Sequence, residues 1–103
     1  MATRKVEKTV PYVIVRTQNA GVFAGNLVEQ GKETVILMNV RRIWYWKGAA
    51  SLSQLAMEGV TCPQECKFSM PVIRQDLNQV IEIIYTTKEA EKNIREVPEW
   101  KII

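Results

Sequence analysis

The sequence has no histidine, one aspartate (Asp76) and two cysteines (Cys62 and Cys66) in 103 residues. Histidine is the side chain that ordinarily titrates near neutral pH, so its absence removes the usual general base and the commonest metal ligand. Two thiols without histidine cannot complete a tetrahedral zinc site. A disulfide between Cys62 and Cys66 is open, but reduced thiols are the expectation, because nothing marks the chain as secreted. A serine or cysteine nucleophile would lack its customary partner, and no pair of carboxylates stands at a spacing that suggests acid–base work. Gly21 and Gly25 precede more strand rather than a helix, so they do not form a phosphate loop of the strand-to-helix type. A non-enzymatic protein without a cofactor is expected.

Long apolar runs are also missing. Nothing approaches the ~20 residues that a membrane-spanning helix needs. Met1 to Val10 is polar and basic, without the apolar centre of a signal peptide. A cytoplasmic protein that does not enter membranes is expected. The 47% apolar and 24% charged residues exclude general disorder, and a chain of this length buries roughly two-thirds of its unfolded surface. The net charge of +3 favours anionic partners but is too small for a dedicated duplex binder, so nucleic acid is disfavoured.

The pattern predicts an N-terminal arm over residues 1–10 and one α+β domain over residues 11–103. That domain should hold a small, strongly bent antiparallel sheet of about five strands and two short helices. Tyr12–Thr17 is β-branched and aromatic, and Ala20–Glu29 follows a turn at Gln18 and Asn19. Gly21 and Gly25 suggest a bulge, a sharp bend or a close approach in this second strand. Glu33–Trp46 reads as one long strand with Arg41, Ile43 and Tyr45 on one parity and Arg42, Trp44 and Trp46 on the other; a bulge near Asn39 would re-aim its second half. Ser51 with Gln54 forms a capping box that opens a helix, and Gly59 ends it. Val60–Ser69 is expected as loop, Pro71–Arg74 as a short strand and Gln79–Thr86 as a strong one. Thr86 with Glu89 is a second capping box for a helix to about Arg95, and Trp100 should dock on the sheet or on another subunit.

The candidate binding residues concentrate around the long strand. Arg41, Arg42, Trp44, Tyr45 and Trp46 gather guanidinium forks and π faces within six positions. Forks pair with phosphate oxygens and aromatic faces stack on purines. Ser51, Ser53 and Gln54 at the following helix start would add hydrogen bonds to ribose or phosphate, and Phe23 a further stacking face. Arg16 and Asn26 join the set if their strands neighbour the long one. A structural reading stands beside this. Either tryptophan can be core, and Arg41 and Arg42 can be rim residues paired with Glu29, Glu33 or Glu58.

Four blocks, Val15–Thr17, Ala20–Gly25, Arg41–Trp46 and Gly48–Ala56, resemble a family of small domains encoded by phages and prophages. Cys66-Lys67-Phe68, the strand Val80–Ile84 and Trp100-Lys101 extend the resemblance over residues 12 to 101. In size and in its Arg/Trp-rich block the chain is also similar to the nucleotide sponges, small phage proteins that withhold the signalling molecules of bacterial immunity. The resemblance implies a homo-oligomer with a pocket near a subunit interface, acting in the bacterial host cytoplasm. The ligand would be a small nucleotide, of ADP-ribose or cyclic ADP-ribose type or a cyclic dinucleotide. The alternatives are an inhibitor directed at a host defence protein and a single-stranded nucleic-acid binder.

Overall fold

The computed structural model describes residues 10–103; the N-terminal arm expected over residues 1–10 lies outside the described residues except for Val10. Strands β1 (Tyr12–Thr17), β2 (Val22–Gln30) and β3 (Val35–Tyr45) form an antiparallel meander. Helix α1 (Leu52–Glu58) and a 3-10 turn at Pro63–Glu65 lead to β4 (Lys67–Phe68), β5 (Val72–Leu77) and β6 (Val80–Tyr85), and helix α2 (Lys88–Glu96) follows. The sheet runs β4-β3-β2-β1-β6, with β5 also on β3. β3 is long enough to hold two partners on one edge: Val35–Val40 pair with β5, and Ile43 and Tyr45 with β4. β5 and β6 lie at opposite ends of the β5-β3-β2-β1-β6 path, yet only Asn78 and Gln79 connect them. The sheet must therefore bend strongly back on itself, and it stops short of closing.

The architecture is α+β, as expected, with six strands instead of about five. The two-residue β4 sits in a stretch expected as loop, and its sequence is too short to carry any period. β5 runs past Arg74 to Leu77 because its backbone completes a ladder with β3, a long-range pairing that local pattern does not reveal. The first capping box forms in part: Ser51 Oγ accepts from the Gln54 amide at 3.2 Å, while Gln54 Oε1 reaches past the cap and accepts from the Ala50 amide at 2.7 Å. The second shifts by one residue. Thr87 caps α2, accepting from the Ala90 amide at 3.0 Å, while Thr86 donates to the Tyr12 carbonyl at 2.7 Å and ties β6 to β1. Trp100 stays about half exposed; its backbone docks, donating to the Phe68 carbonyl at 2.9 Å.

Apolar residues fill both faces of the sheet. Tyr12, Ile14, Ala24, Ile43 and Phe68 pack under the helices with Leu55, Ala56 and Ile94. Val13, Val15, Phe23, Val35, Leu37 and Val40 fill the inside of the bend. β3 changes parity between the two: Val35 and Leu37 point inward, then Val40 does, whereas Ile43 lies with the helices. The switch is the bulge expected near Asn39, which takes the left-handed conformation at φ 51 and shifts the register against β2 between Ala24 and Asn26. Asparagine tolerates that conformation better than β-branched residues do.

Gly25 lies across from this bulge. A Cβ there would stand 3.0 Å from Val40 Cα and 3.1 Å from the Met38 carbonyl, so the bulge and the glycine require each other. Gly25→Ala is expected to destabilise the fold by about 1–3 kcal/mol through overpacking. A urea titration should show a lower midpoint with an unchanged slope; an unchanged midpoint would mean that β3 yields freely at this point.

Candidate ligand-binding site

Neighbouring residues of a strand point to opposite faces, and this separates the two arginines on which the candidate site was centred. Arg41 turns toward the helices and is only 2% exposed. Its Nε donates to the Ser69 carbonyl at 2.7 Å and one Nη to the Ile94 carbonyl at 2.8 Å. The other Nη lies 3.4 Å from the carbonyls of both Phe68 and Pro98. The guanidinium thus joins the end of β4, the last turn of α2 and the start of the tail. A cation at a helix C-terminus is favourably placed against the macrodipole. Burial holds its pKa below the ordinary arginine value, with Tyr12 and Glu99 acting in the opposite direction.

Arg42 turns toward the inside of the bend. Its guanidinium lies 4.8 Å from the centre of the Phe23 ring and 5.8 Å from that of Trp44. Phe23 is buried beneath it, and Trp44 is 62% exposed. Its buried Nε has no hydrogen-bond partner, and no carboxylate pairs with Arg42 among the described residues. A desolvated donor beside two π faces is suited to an anionic or aromatic ligand group.

The other candidates do not gather there. Trp46 packs against the helix-side core, with its indole N–H donating to the Ala49 carbonyl at 3.1 Å. Ser51 and Gln54 are engaged in the cap of α1, where Gln54 also donates to Glu58 at 3.2 Å; Ser53 is exposed on the same helix. Arg16 pairs with Glu82 on β6 at 2.8 Å. Asn26 accepts from Arg95 of α2 at 3.1 Å. The expected ten-residue pocket thus resolves into a platform of Phe23, Arg42 and Trp44, with the rest at other places in the fold. The alternative pairings of Arg41 or Arg42 with Glu29, Glu33 or Glu58 do not occur either. Among the described residues, no three of the Cys, Asp and Glu side chains gather closely enough to hold a metal ion.

A second polar cluster lies on the helix side, around residues that sequence reasoning treated as strand or helix surface. The Arg95 guanidinium covers the Tyr12 ring at 4.5 Å and pairs with Glu91 at 2.8 Å. Tyr12 is 3% exposed, and its hydroxyl has no hydrogen-bond partner among the described residues. Its pKa is pushed up to about 12, mainly by burial; Arg95 and Arg41 oppose the shift and Glu91 adds to it. The one available sequence signal is the tyrosine that precedes the aliphatic run Val13–Val15.

Two predictions follow from these environments. Arg41→Met keeps the aliphatic bulk but leaves the carbonyls of Ser69 and Pro98 without a donor and Ile94 with the Val97 amide alone, at an expected cost of about 2–3 kcal/mol; thermal denaturation measures it. For Tyr12, the unfolded chain releases the phenolic proton at the ordinary pKa of 10.0 and the folded chain only at about 12. Rising pH therefore favours the unfolded state across this window, and stability falls by up to roughly 2–3 kcal/mol. Tyr12→Phe should remove that part of the alkaline loss and, by deleting a buried hydroxyl without a partner, raise stability at neutral pH by about 1–3 kcal/mol.

No curated protein and no solved structure matches the chain. One family model does, over residues 10–94, a span that begins just before β1 and ends within α2. The chain therefore belongs to the family described as a domain of unknown function (DUF6948).

Proposed function

We propose that this chain is a non-catalytic binding protein that captures a phosphorylated nucleotide signal on the Arg42–Trp44 platform and withholds it without cleaving it. The observation that carries the reading is the state of Arg42: a guanidinium stacked between Phe23 and Trp44, with a buried, unpartnered Nε and no carboxylate. The exposed Trp44 ring supplies a stacking face for a base, and the arginine fork supplies donors for phosphate oxygens. A ligand of ADP-ribose or cyclic ADP-ribose type, or a cyclic dinucleotide, combines both groups. The biological role that fits such capture is counter-defence by a phage-encoded protein in the host cytoplasm. Because the platform is open, a second copy of the chain closing over it would bury the ligand from the other side.

A second reading has its own observation. Val72 pairs with Val40, and Ser69 is bonded to the Arg42 amide at 2.8 Å. This places Met70, Val72 and Ile73, all exposed, on the segment alongside the platform. Exposed Trp, Met and Arg together have the composition of a protein-binding hot spot, which favours an inhibitor directed at a host protein.

A thermal-shift screen with ADP-ribose isomers and cyclic dinucleotides separates the two. At about 100 times its dissociation constant, a captured ligand adds roughly 2.7 kcal/mol of stability. Arg42→Ala should abolish the shift and leave the free protein folded. Ligand released by heat should be recovered intact; an altered product would overturn the non-enzymatic reading, and indifference to every nucleotide would favour the protein-directed one.

A further inference from the structure

On the helix side of the sheet, away from Trp44, a cavity of about 180 Å³ is lined by Tyr12, Asn39, Arg41, Pro71 and Arg95. The geometry points to a second binding site here, for a small oxyanion: a carboxylate or a single phosphate group. The inference is independent of the nucleotide platform, since neither Arg42 nor Trp44 takes part.

Size sets the class of ligand. Pockets for whole metabolites usually measure roughly 300–1,000 Å³, whereas one water's share of liquid is about 30 Å³. This cavity is too small for a nucleotide and ample for a group of a few heavy atoms.

Charge sets its sign. Glu91 neutralises Arg95 through contacts of 2.8 Å and 3.0 Å. Arg41 has no carboxylate in contact: its partners are four carbonyl oxygens. The C-terminal end of a helix offsets roughly half a charge, and Glu99, which acts on Arg41 from a distance, is itself paired with Lys101 at 3.2 Å. A positive excess is left beside the cavity.

Donors set the chemistry. The Tyr12 hydroxyl is sealed from solvent without a partner, and native interiors pair such groups in the great majority of cases. It lies within the fields of Arg41, Arg95 and Glu91. Asn39 is exposed at the bulge, its amide another donor at the cavity wall. The hydroxyl and the amide are donors without a partner among the described residues. The two guanidinium groups, most of whose N–H groups are already engaged, add positive charge. The groups that such a setting accepts best are anionic oxygens.

Inorganic phosphate and acetate, each compared with chloride at matched ionic strength, test the site by calorimetry and by NMR of the intact chain. At least one should bind with saturation, and the tighter of the two identifies the class. The perturbed signals should be the Tyr12 and Asn39 amides and the Arg41 Nε–H, with the Trp44 indole unmoved. Tyr12→Phe removes the unpartnered hydroxyl and should fold normally while weakening binding about ten-fold or more. Asn39→Gly keeps the left-handed backbone and should also weaken binding. A response equal to chloride in both arms, undiminished affinity in Tyr12→Phe, or shifts confined to Arg42 and Trp44 would each overturn the inference.

Discussion

The buried Arg41 guanidinium is the contact on which the rest of this fold depends. β4 is two residues long, α2 ends in an irregular tail, and neither has enough backbone pairing to hold its own end. One side chain, extending from the longest strand, satisfies carbonyls from both elements and from the tail. A lysine could not make that set, because a compact ammonium lacks the planar fork that spreads donors over separated acceptors. Desolvating the charge is costly, as its lowered pKa reflects. The cost is offset by bonds to four carbonyls, of which those of Ser69 and Pro98 have no other donor among the described residues.

Arg41 reaches these carbonyls because β3 changes face at Asn39. Without the bulge, the parity that begins at Val35 and Leu37 would carry residue 41 into the bend, and residue 42 would lie under the helices. The left-handed asparagine inverts this, and Gly25 leaves room for it on β2. Adjacent and chemically identical, the two arginines consequently have different tasks. One is enclosed by carbonyls and serves the fold; the other lies between aromatic rings at an open surface. The bulge also brings Asn39 itself to the rim of the helix-side cavity.

Much of this was legible in the residues. The first three strands, the Ser51 cap and the interruption at Asn39 all follow from local pattern, because each is decided within a few residues. The strand's own alternation already put Arg41 and Arg42 on different faces, so a clamp that used both was inconsistent with the strand that carried them. What local pattern could not supply was pairing across long separations. β4 exists because β3 is there to receive it, and Thr87 rather than Thr86 caps α2 because Thr86 is held by Tyr12. The Tyr12–Arg95 contact joins the first strand to the last helix, and no window of sequence contains both.

The two faces of β3 have one property in common. On each, a donor is buried without an acceptor: the Arg42 Nε inside the bend and the Tyr12 hydroxyl under the helices. On each, a guanidinium with no carboxylate in contact stands close by: Arg42 itself inside the bend, and Arg41 beside Tyr12 under the helices. A protein selected for stability alone would place an acceptor at such points or remove the donor, since a buried unpaired group costs about 1–3 kcal/mol. Under the two proposals made above, both are retained for acceptors that arrive from outside, and the positive surroundings would favour those that carry negative charge. The chain's modest net charge of +3 is thus less informative than its placement, because the cations that matter are the ones the fold has left without anions.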